Sequence, residues 1–501
     1  MRELRTVVAP ENPIEGAPNG GVTTDLPLLA AKMAPPEVGQ VVARPRLSGR
    51  LDEAATRPLT LVAAPAGWGK TVLLGAWFRE RRSGERLAWL TVESGDRRDH
   101  LWSYLAAALP VADRAVAAAK SREPLVHLAA ALSRLPSPVT LVVDGADHLE
   151  DPGFAAGLDY LIGHADGRLR VVLGVRTANC LPLHRWRLRA AVAELSDNDL
   201  AFTTAEAVDM LALHGVALPR AQVEQLRERT EGWAVGLRLA AILLAGHPEP
   251  ARFVDEFGGD LPAVADFLTD EVVARLSAEA VEAFTRAAVA DRLCGGLLDA
   301  LTGGTGGAEL LADAEARTGF TVRLDAVPNA FRHRRPLRDL FRARLRRRPE
   351  AELRDLHRRS ARWYAEHDQP GSALRHALAG DAGDAAERVL VKSWRELLPP
   401  AADAAAPAAP PPPPDELRDR PMLALAYAAD RLAAHDLPGA ADLLRLAGPE
   451  EPISTGQPAA HPAPLAAALR VASAELSGEA SQIRAAAGRL LALAEPAAPA
   501  D

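Results

Sequence analysis

In LVAAPAGWGKTVLLGAWF, residues 61–78, a short apolar run gives way to Gly67, Gly69, Lys70 and Thr71 and then to a helix-like pattern. Lys70 is one of only four lysines among the 58 basic residues of the 501-residue chain, the others being Lys32, Lys120 and Lys392. A strand, a glycine-bearing turn and a helix start, in that order, build a phosphate-binding loop: the glycines let successive N–H groups point inward, and the helix adds its positive end. Lys70 then reaches the outer phosphates and the Thr71 hydroxyl ligates magnesium. Lysine suits this place because a slim point charge bends over a phosphate chain where a planar fork does not. The spacing assigns Pro65, Ala66, Gly67, Trp68, Gly69, Lys70, Thr71 and Val72 to the loop. Ala64 stands where the strict pattern has its first glycine.

Two further segments place polar groups at strand ends. TLVVDGADHLE ends a strand on Asp144, where a carboxylate can hold magnesium beside Thr71, although an Asp there also serves as an ordinary cap. The acid that usually follows and activates water is replaced by Gly145, so fast hydrolysis is not expected; Asp147 is the substitute candidate, and Asp144 and Asp147 are the candidate catalytic pair. LRVVLGVRT brings Arg176 to the same edge, either to sense an outer phosphate or to cap the strand against solvent.

These side chains need a scaffold that brings strand ends together. LTLVAAP, RLAWLTV, PVTLVVD and LRVVLGVRT are short apolar runs alternating with helical patterns, which predicts a parallel sheet wrapped by helices over residues 41–198. Residues 1–40, rich in Pro, Gly and small residues, read as a mobile leader. Past residue 199 the pattern is helical. FTTAEAVDMLALHG offers Thr203 as an N-cap with Glu206 three residues later, and Trp233, Leu237, Ala240, Ala241 and Leu244 share one apolar face. The divisions predicted are a small helical domain at 199–262, a block at 263–348 with a wing hairpin in GFTVRLDAVPNAFRHRRPL, helical hairpins at 349–398, a Pro-rich spacer at 399–416 and a helical-repeat-like segment at 417–501.

Composition narrows the function. A formal net charge of -8 argues against a wholly basic nucleic-acid-binding chain. Nine arginines crowd residues 332–348, which in an arginine-rich, lysine-poor chain reads first as a solvated helix face. Trp68, Trp77, Trp102 and Trp233 fall on apolar faces or beside the loop and read as packing residues. Cys180 and Cys294 have no metal or disulfide spacing, and the N-terminus lacks an apolar signal core; a cytoplasmic protein with no membrane span is expected.

The segments ARPRLSGRLDEAATRPLTLVAAPAGWGKTVLLGAW, AWLTVESGDRRDHLWSYLAAAL, LVVDGADHLED, LRVVLGVRT, FTTAEAVDML, TEGWAVGLRLAA and FLTDEVVARLSAEAVEAFTRAAVADRL stand in this order over residues 42–398. In this the chain resembles the large ATP-binding regulators of the LuxR family, typified by the maltose regulator, within the signal-transduction ATPases with numerous domains. The resemblance implies a multidomain α/β plus α fold: a P-loop NTPase parallel sheet, a helical domain, a winged helix and a helical-repeat sensor. It also implies a slow switch that binds ATP or ADP with Mg2+, closed by ADP and opened by an inducer or partner protein for self-assembly in the ATP state. By motif match Lys70 and Thr71 take the phosphate-loop roles, Asp144 the magnesium role and Arg176 the sensor role; Arg46 in RPRL lies near the base, and His333 in FRHRRPLRDLF stands in a shifted form of the family's phosphate-contacting histidine turn.

Family members usually close with a DNA-reading helix-turn-helix, and no such pattern is found before Asp501. From residue 399 the chain has seven arginines and no lysine against thirteen acids, so DNA contact is expected only through a domain absent from this sequence or through a partner. The competing class is a P-loop enzyme, a kinase or transport-type ATPase with a small-molecule substrate, for which the sequence offers no second substrate site.

Overall fold

The computed structural model describes residues 28–81, 86–111, 123–148, 152–177, 183–188, 192–324, 327–397, 408–448, 462–478, 481 and 483–487. Cys180, the first 27 residues and the first half of the Pro-rich stretch, 399–407, lie outside these.

Five parallel strands, β1 (Leu59–Ala63), β2 (Arg86–Thr91), β3 (Val139–Asp144), β4 (Leu169–Val175) and β5 (Val192–Leu195), stand in the order β2-β3-β4-β1-β5. Successive residues of a strand face opposite sides, and here both sides are covered. Val62, Val142 and Val172 meet Leu47 and Leu51 of α1 (Pro45–Ala54) and Leu74 and Trp77 of α2 (Lys70–Arg81). Leu61, Leu141 and Leu173 meet Leu105 of α3 (Arg98–Ala108), Leu132 of α4 (Glu123–Ser133), Leu158 of α5 (Pro152–His164) and Trp186 of α6 (Leu183–Leu188). Burial on two faces explains the continuous apolar runs. The fifth strand escapes that pattern because Val192–Leu195 is an edge strand whose first three residues are not buried.

The expected leader is shorter than 1–40. Residues Ala30–Met33 form a 3-10 turn whose Lys32, 9% exposed, is clamped by Asp96 at 2.6 Å and Glu93 at 3.1 Å, and Arg79 donates to the Pro36 carbonyl. The charge pair and the backbone contact hold this strap against the sheet domain, and it runs on into α1.

The helical domain comprises α7 (Asp197–Leu200), α8 (Thr204–Leu213), α9 (Arg220–Thr230), α10 (Ala234–Leu244) and α11 (Pro250–Glu256). Thr203 and Glu206 form a full capping box at the start of α8. The face Trp233, Leu237, Ala240, Ala241 and Leu244 is buried as its spacing predicts. Next come α12 (Pro262–Glu271), α13 (Ala278–Ala287), α14 (Gly295–Thr302), α15 (Gly307–Thr318), the antiparallel hairpin β6 (Thr321–Arg323) with β7 (Phe331–His333), and α16 (Arg335–Arg346). One continuous apolar cluster runs from the α2 face of the sheet through the helical domain to Phe284, Phe320 and Phe341.

Seven of the nine arginines of residues 332–348 have side-chain partners within the fold. Arg338 and Arg342 share Asp291, Arg346 pairs with Asp260, Arg348 with Glu282, and Arg332 with Glu231. Beyond them α17 (Glu350–Glu366), α18 (Pro370–Ala379), α19 (Gly383–Ser393), α20 (Pro414–Arg418), α21 (Pro421–Ala433), α22 (Leu437–Leu446) and α23 (Pro462–Ser477) pack around a third apolar cluster. The described end of the Pro-rich segment is docked rather than a free spacer: Ala409 is buried and donates its N–H to Asp430 Oδ2 at 2.8 Å, and α20 begins within the predicted spacer.

Candidate functional site

The C-terminal ends of β3, β4 and β1 are neighbours, so the polar residues that end these strands converge. Between β1 and α2 the loop turns through Gly67 at φ +79° and Gly69 at φ +82°, a conformation that favours glycine. Gly67 is doubly required, since a Cβ there would sit 2.6 Å from Trp233 Nε1. Thr71, in the first turn of α2, donates its hydroxyl to Asp144 Oδ2 at 2.8 Å. Gly174 of the adjacent strand leaves room for that carboxylate; a Cβ at this position would lie 2.9 Å from Asp144 Oδ1.

Lys70 folds over its own loop, donating to the carbonyls of Ala64 at 2.7 Å and Pro65 at 3.0 Å. Desolvation lowers its pKa to about 8, opposed by the charges of Asp147 and Asp144 and assisted by Arg176. Burial acts on Asp144 in the opposite sense and raises its pKa, against the Thr71 hydrogen bond and the Lys70 charge. Burial disfavours the charged form of both groups, and the opposite charges already beside each offset it only in part. A hydroxyl and a carboxylate oxygen 2.8 Å apart are hard donors of the kind magnesium takes, so Thr71 and Asp144 fit that ion.

Asp147 sits in the 3-10 turn Ala146–His148, where its Oδ1 accepts from the Arg176 N–H at 3.2 Å. The Arg176 guanidinium lies between Asp147 Oδ2, 3.5 Å from Nε, and Glu271 Oε2, 2.8 Å from Nη1. Glu271 ends α12, so this arginine ties the sheet edge to the first helix beyond the helical domain. Gly145 has φ +74°, and a Cβ there would meet the Val92 carbonyl oxygen at 2.4 Å. The residue standing where a second acid is usual is thus a glycine for a backbone reason.

Lys70, Thr71, Val72, Ala66, Gly67, Gly69, Asp144, Asp147 and Arg176 all line one cavity of about 600 Å3. Four of the predicted residues do not. Arg46 turns away and clamps Glu206 at 2.8 Å and the Asp199 carbonyl at 2.7 Å. Its neighbour Arg44 lines the cavity while also binding Glu206, at 3.0 Å. Pro65 faces a second cleft. Trp68 is 1% exposed and packs edge-on to Phe320 with centroids 5.2 Å apart. His333 is buried in the hairpin against Thr321 Oγ1 at 3.0 Å and between Phe284 and Phe341; burial lowers its pKa to about 3, so it is a neutral core residue. Arg334, one residue on, instead stacks over Trp68 at 4.9 Å and pairs with Asp197 and Glu231.

The rest of the cavity wall was missed by sequence reasoning. Gln40–Arg44 of the strap form one side, and Met210, His214, Ala234, Val235 and Arg238 of the helical domain form another. No local motif marks them, and the helical-domain residues are brought to the loop from more than a hundred residues away. The helical domain grips the loop directly: Trp233 Nε1 donates to Ala66 O at 3.1 Å, and Val235 N–H to Gly67 O at 3.0 Å. Behind the loop, the second cleft is lined by Pro65, Asp197, Arg323, Arg332 and Arg334, and Arg176 borders both spaces.

Residues 269–353 match the MalT winged helix domain. Over 365 residues the chain is 32% identical to the serine/threonine-protein kinase PknK of Mycobacterium tuberculosis, covering 70% of this chain and 33% of that protein. It is 26% identical over 387 residues to the HTH-type transcriptional regulator MalT of Cronobacter sakazakii, covering 73% of this chain and 42% of the relative. The chain therefore spans less than half the length of these curated relatives. Similar solved structures include a Walker-type ATPase of Pyrococcus abyssi, with TM-score 0.45, 17% identity and coverage of 60% of this chain and 96% of that one. Another is a signal transduction ATPase with a tetratricopeptide repeat sensor from Pyrococcus horikoshii, with TM-score 0.33, 13% identity and coverage of 92% and 65%. A MalT-type winged helix thus follows a phosphate-loop sheet, and over most of its own length the chain is similar to MalT, so it resembles the large ATP-binding regulators that MalT typifies.

Proposed function

We propose that this chain is a signal-transduction switch that binds ATP or ADP with Mg2+ and turns nucleotide identity into domain arrangement. The observation that carries the reading is the joining of the phosphate-loop cavity to two further domains, through Trp233 and Val235 on the loop carbonyls and Arg176 on Glu271. A switch needs a ligand that interacts differently with its closed and open arrangements, and turnover is not required.

In this reading Lys70 leaves the Ala64 and Pro65 carbonyls for the outer phosphates, and Thr71 with Asp144 holds the magnesium, which screens phosphate charge when bound. Arg176, shared by Asp147 and Glu271, is the residue that registers an outer phosphate: drawn toward it, the guanidinium lets go of α12 and loosens the winged helix. Asp147 and Asp144 are the acids available to orient water. With Gly145 between them and Arg176 on Asp147, slow hydrolysis is the expectation. The helical segments from α17 onward take an inducer or partner protein, and the ATP state self-assembles. The engagement of the α16 arginines inside the fold supports DNA contact being made elsewhere. No helix among the described residues is long and apolar enough to cross a membrane, and a cytoplasmic location accords with the proposed role.

Purification followed by nucleotide extraction tests this. Stoichiometric ADP, with turnover far below the roughly 1–1,000 per second of ordinary enzymes, supports the switch. Rapid multiple turnover on a small acceptor would replace it with a P-loop enzyme.

A further inference from the structure

Three arginines line the cavity, and two of them are committed: Arg44 to Glu206, and Arg176 to Asp147 and Glu271. The third, Arg238, has neither a hydrogen bond nor an ion pair among the described residues. It is exposed, so nothing in the fold depends on its charge. The helix that carries it, in contrast, is fixed to the loop. The N-terminal turn of α10 is pinned to the loop through Trp233 and Val235, and Ala234 lies 3.8 Å from where a Cβ would stand on Gly69. Arg238 is four residues after Ala234, on the same face, and side chains on a helix lean toward its N-terminus. That tendency directs the Arg238 stem toward the end of α10 that packs on the loop, and Arg238 lines the cavity.

We propose that Arg238 is a ligand-binding residue that the helical domain contributes to the phosphate chain of the nucleotide. The inference rests on the nucleotide reading above and adds to it a positive charge from a second domain. A free guanidinium at the wall of a cavity that holds a polyanion forms charge-assisted hydrogen bonds without first breaking an internal pair. The nucleotide is then held between the loop and α10, so that binding reports the position of the helical domain. The bland alternative is a solvated arginine on the cavity rim.

The test titrates the full chain, stripped of nucleotide, with ADP and with adenosine, using wild type, Arg238→Ala, Arg238→Lys and Lys70→Ala. Arg238→Ala is expected to weaken ADP by about ten- to a hundredfold, the range of a charge-assisted hydrogen bond. Adenosine affinity and the melting temperature without nucleotide stay at wild-type values, and Arg238→Lys recovers part of the ADP affinity. Unchanged ADP affinity in Arg238→Ala, or an equal loss for ADP and adenosine, overturns the assignment. If Lys70→Ala loses ADP while Arg238→Ala does not, only this inference fails; if wild type binds no nucleotide, the functional reading fails with it.

Discussion

Trp233, at the start of α10, donates its indole N–H to the carbonyl of Ala66 inside the phosphate loop, 3.1 Å away, and is itself wholly buried. The same ring meets Trp68 at 6.1 Å and Phe320 at 5.6 Å, so one side chain touches the loop, the helical domain and the winged helix. Trp233→Phe keeps most of the packing and strips the Ala66 carbonyl of its donor, costing about 1–3 kcal/mol. Trp233→Ala costs about 3–5 kcal/mol by opening a cavity. Denaturant melts of both variants check the stability, and bound ADP is expected to leave Trp233→Phe faster than wild type in a displacement assay.

Lys70 supplies a pH signature. Its proton leaves the folded chain at about 8, against an ordinary value of 10.5. Phosphate binding needs the ammonium, so affinity is full below about pH 8 and falls as pH rises through it. Stability of the nucleotide-free chain moves the other way: the unfolded lysine keeps its proton to higher pH, so the folded form gains between about 8 and 10.5. Lys70→Ala loses both slopes and its bound ADP. A calorimetric titration from pH 7 to 9 that showed flat affinity would refute the assignment.

Gly145 is expected to resist replacement. Gly145→Asp places a side chain at φ +74° against the Val92 carbonyl, and strain of this kind costs about 1–3 kcal/mol. Adding the second acid therefore lowers the urea midpoint without accelerating phosphate release, which a malachite-green assay reads directly.

Two carboxylates make the domain packing sensitive to acid. Burial pushes the pKa of Glu231 up, but Arg332, the Arg335 N–H and Arg334 outweigh it and hold the net value below normal. Glu206 behaves likewise under Arg46 and Arg44 and reaches about 2. Each contribution is complete above the ordinary value of 4.5 and fades as pH falls, for Glu206 between 4.5 and about 2. Glu231→Gln breaks a cluster joining α9 to the hairpin, with an expected loss of about 3–5 kcal/mol and faster trypsin cleavage near residue 231. Glu206→Gln flattens the acid limb of the stability curve.

The readable part of this site is the part written contiguously. Gly67, Gly69, Lys70 and Thr71 occupy one turn, and Asp144 and Arg176 each end an apolar strand, so chemistry and position share a short window. Glu206 was legible only as a cap; its second task, holding Arg44 and Arg46 across more than 150 residues, leaves no local mark. His333 and Arg334 are adjacent, and only tertiary packing decides that the histidine enters the core while the arginine faces the loop tryptophan. β5 was missed because an edge strand does not need an unbroken apolar run. The arginine-rich stretch looked solvated until its acids arrived from α11–α12, α13 and the loop after it.

Arg176 is a partition with a chamber on either side: the phosphate cavity in front, and behind it the cleft floored by Pro65 and flanked by Arg323 and Arg334. A wall that is common property cannot be leaned on from one room without shifting in the other. If Arg176 contacts nucleotide as proposed, any solute that settles in the rear chamber and moves that guanidinium alters the grip on nucleotide by some factor, and the nucleotide returns the same factor to the solute.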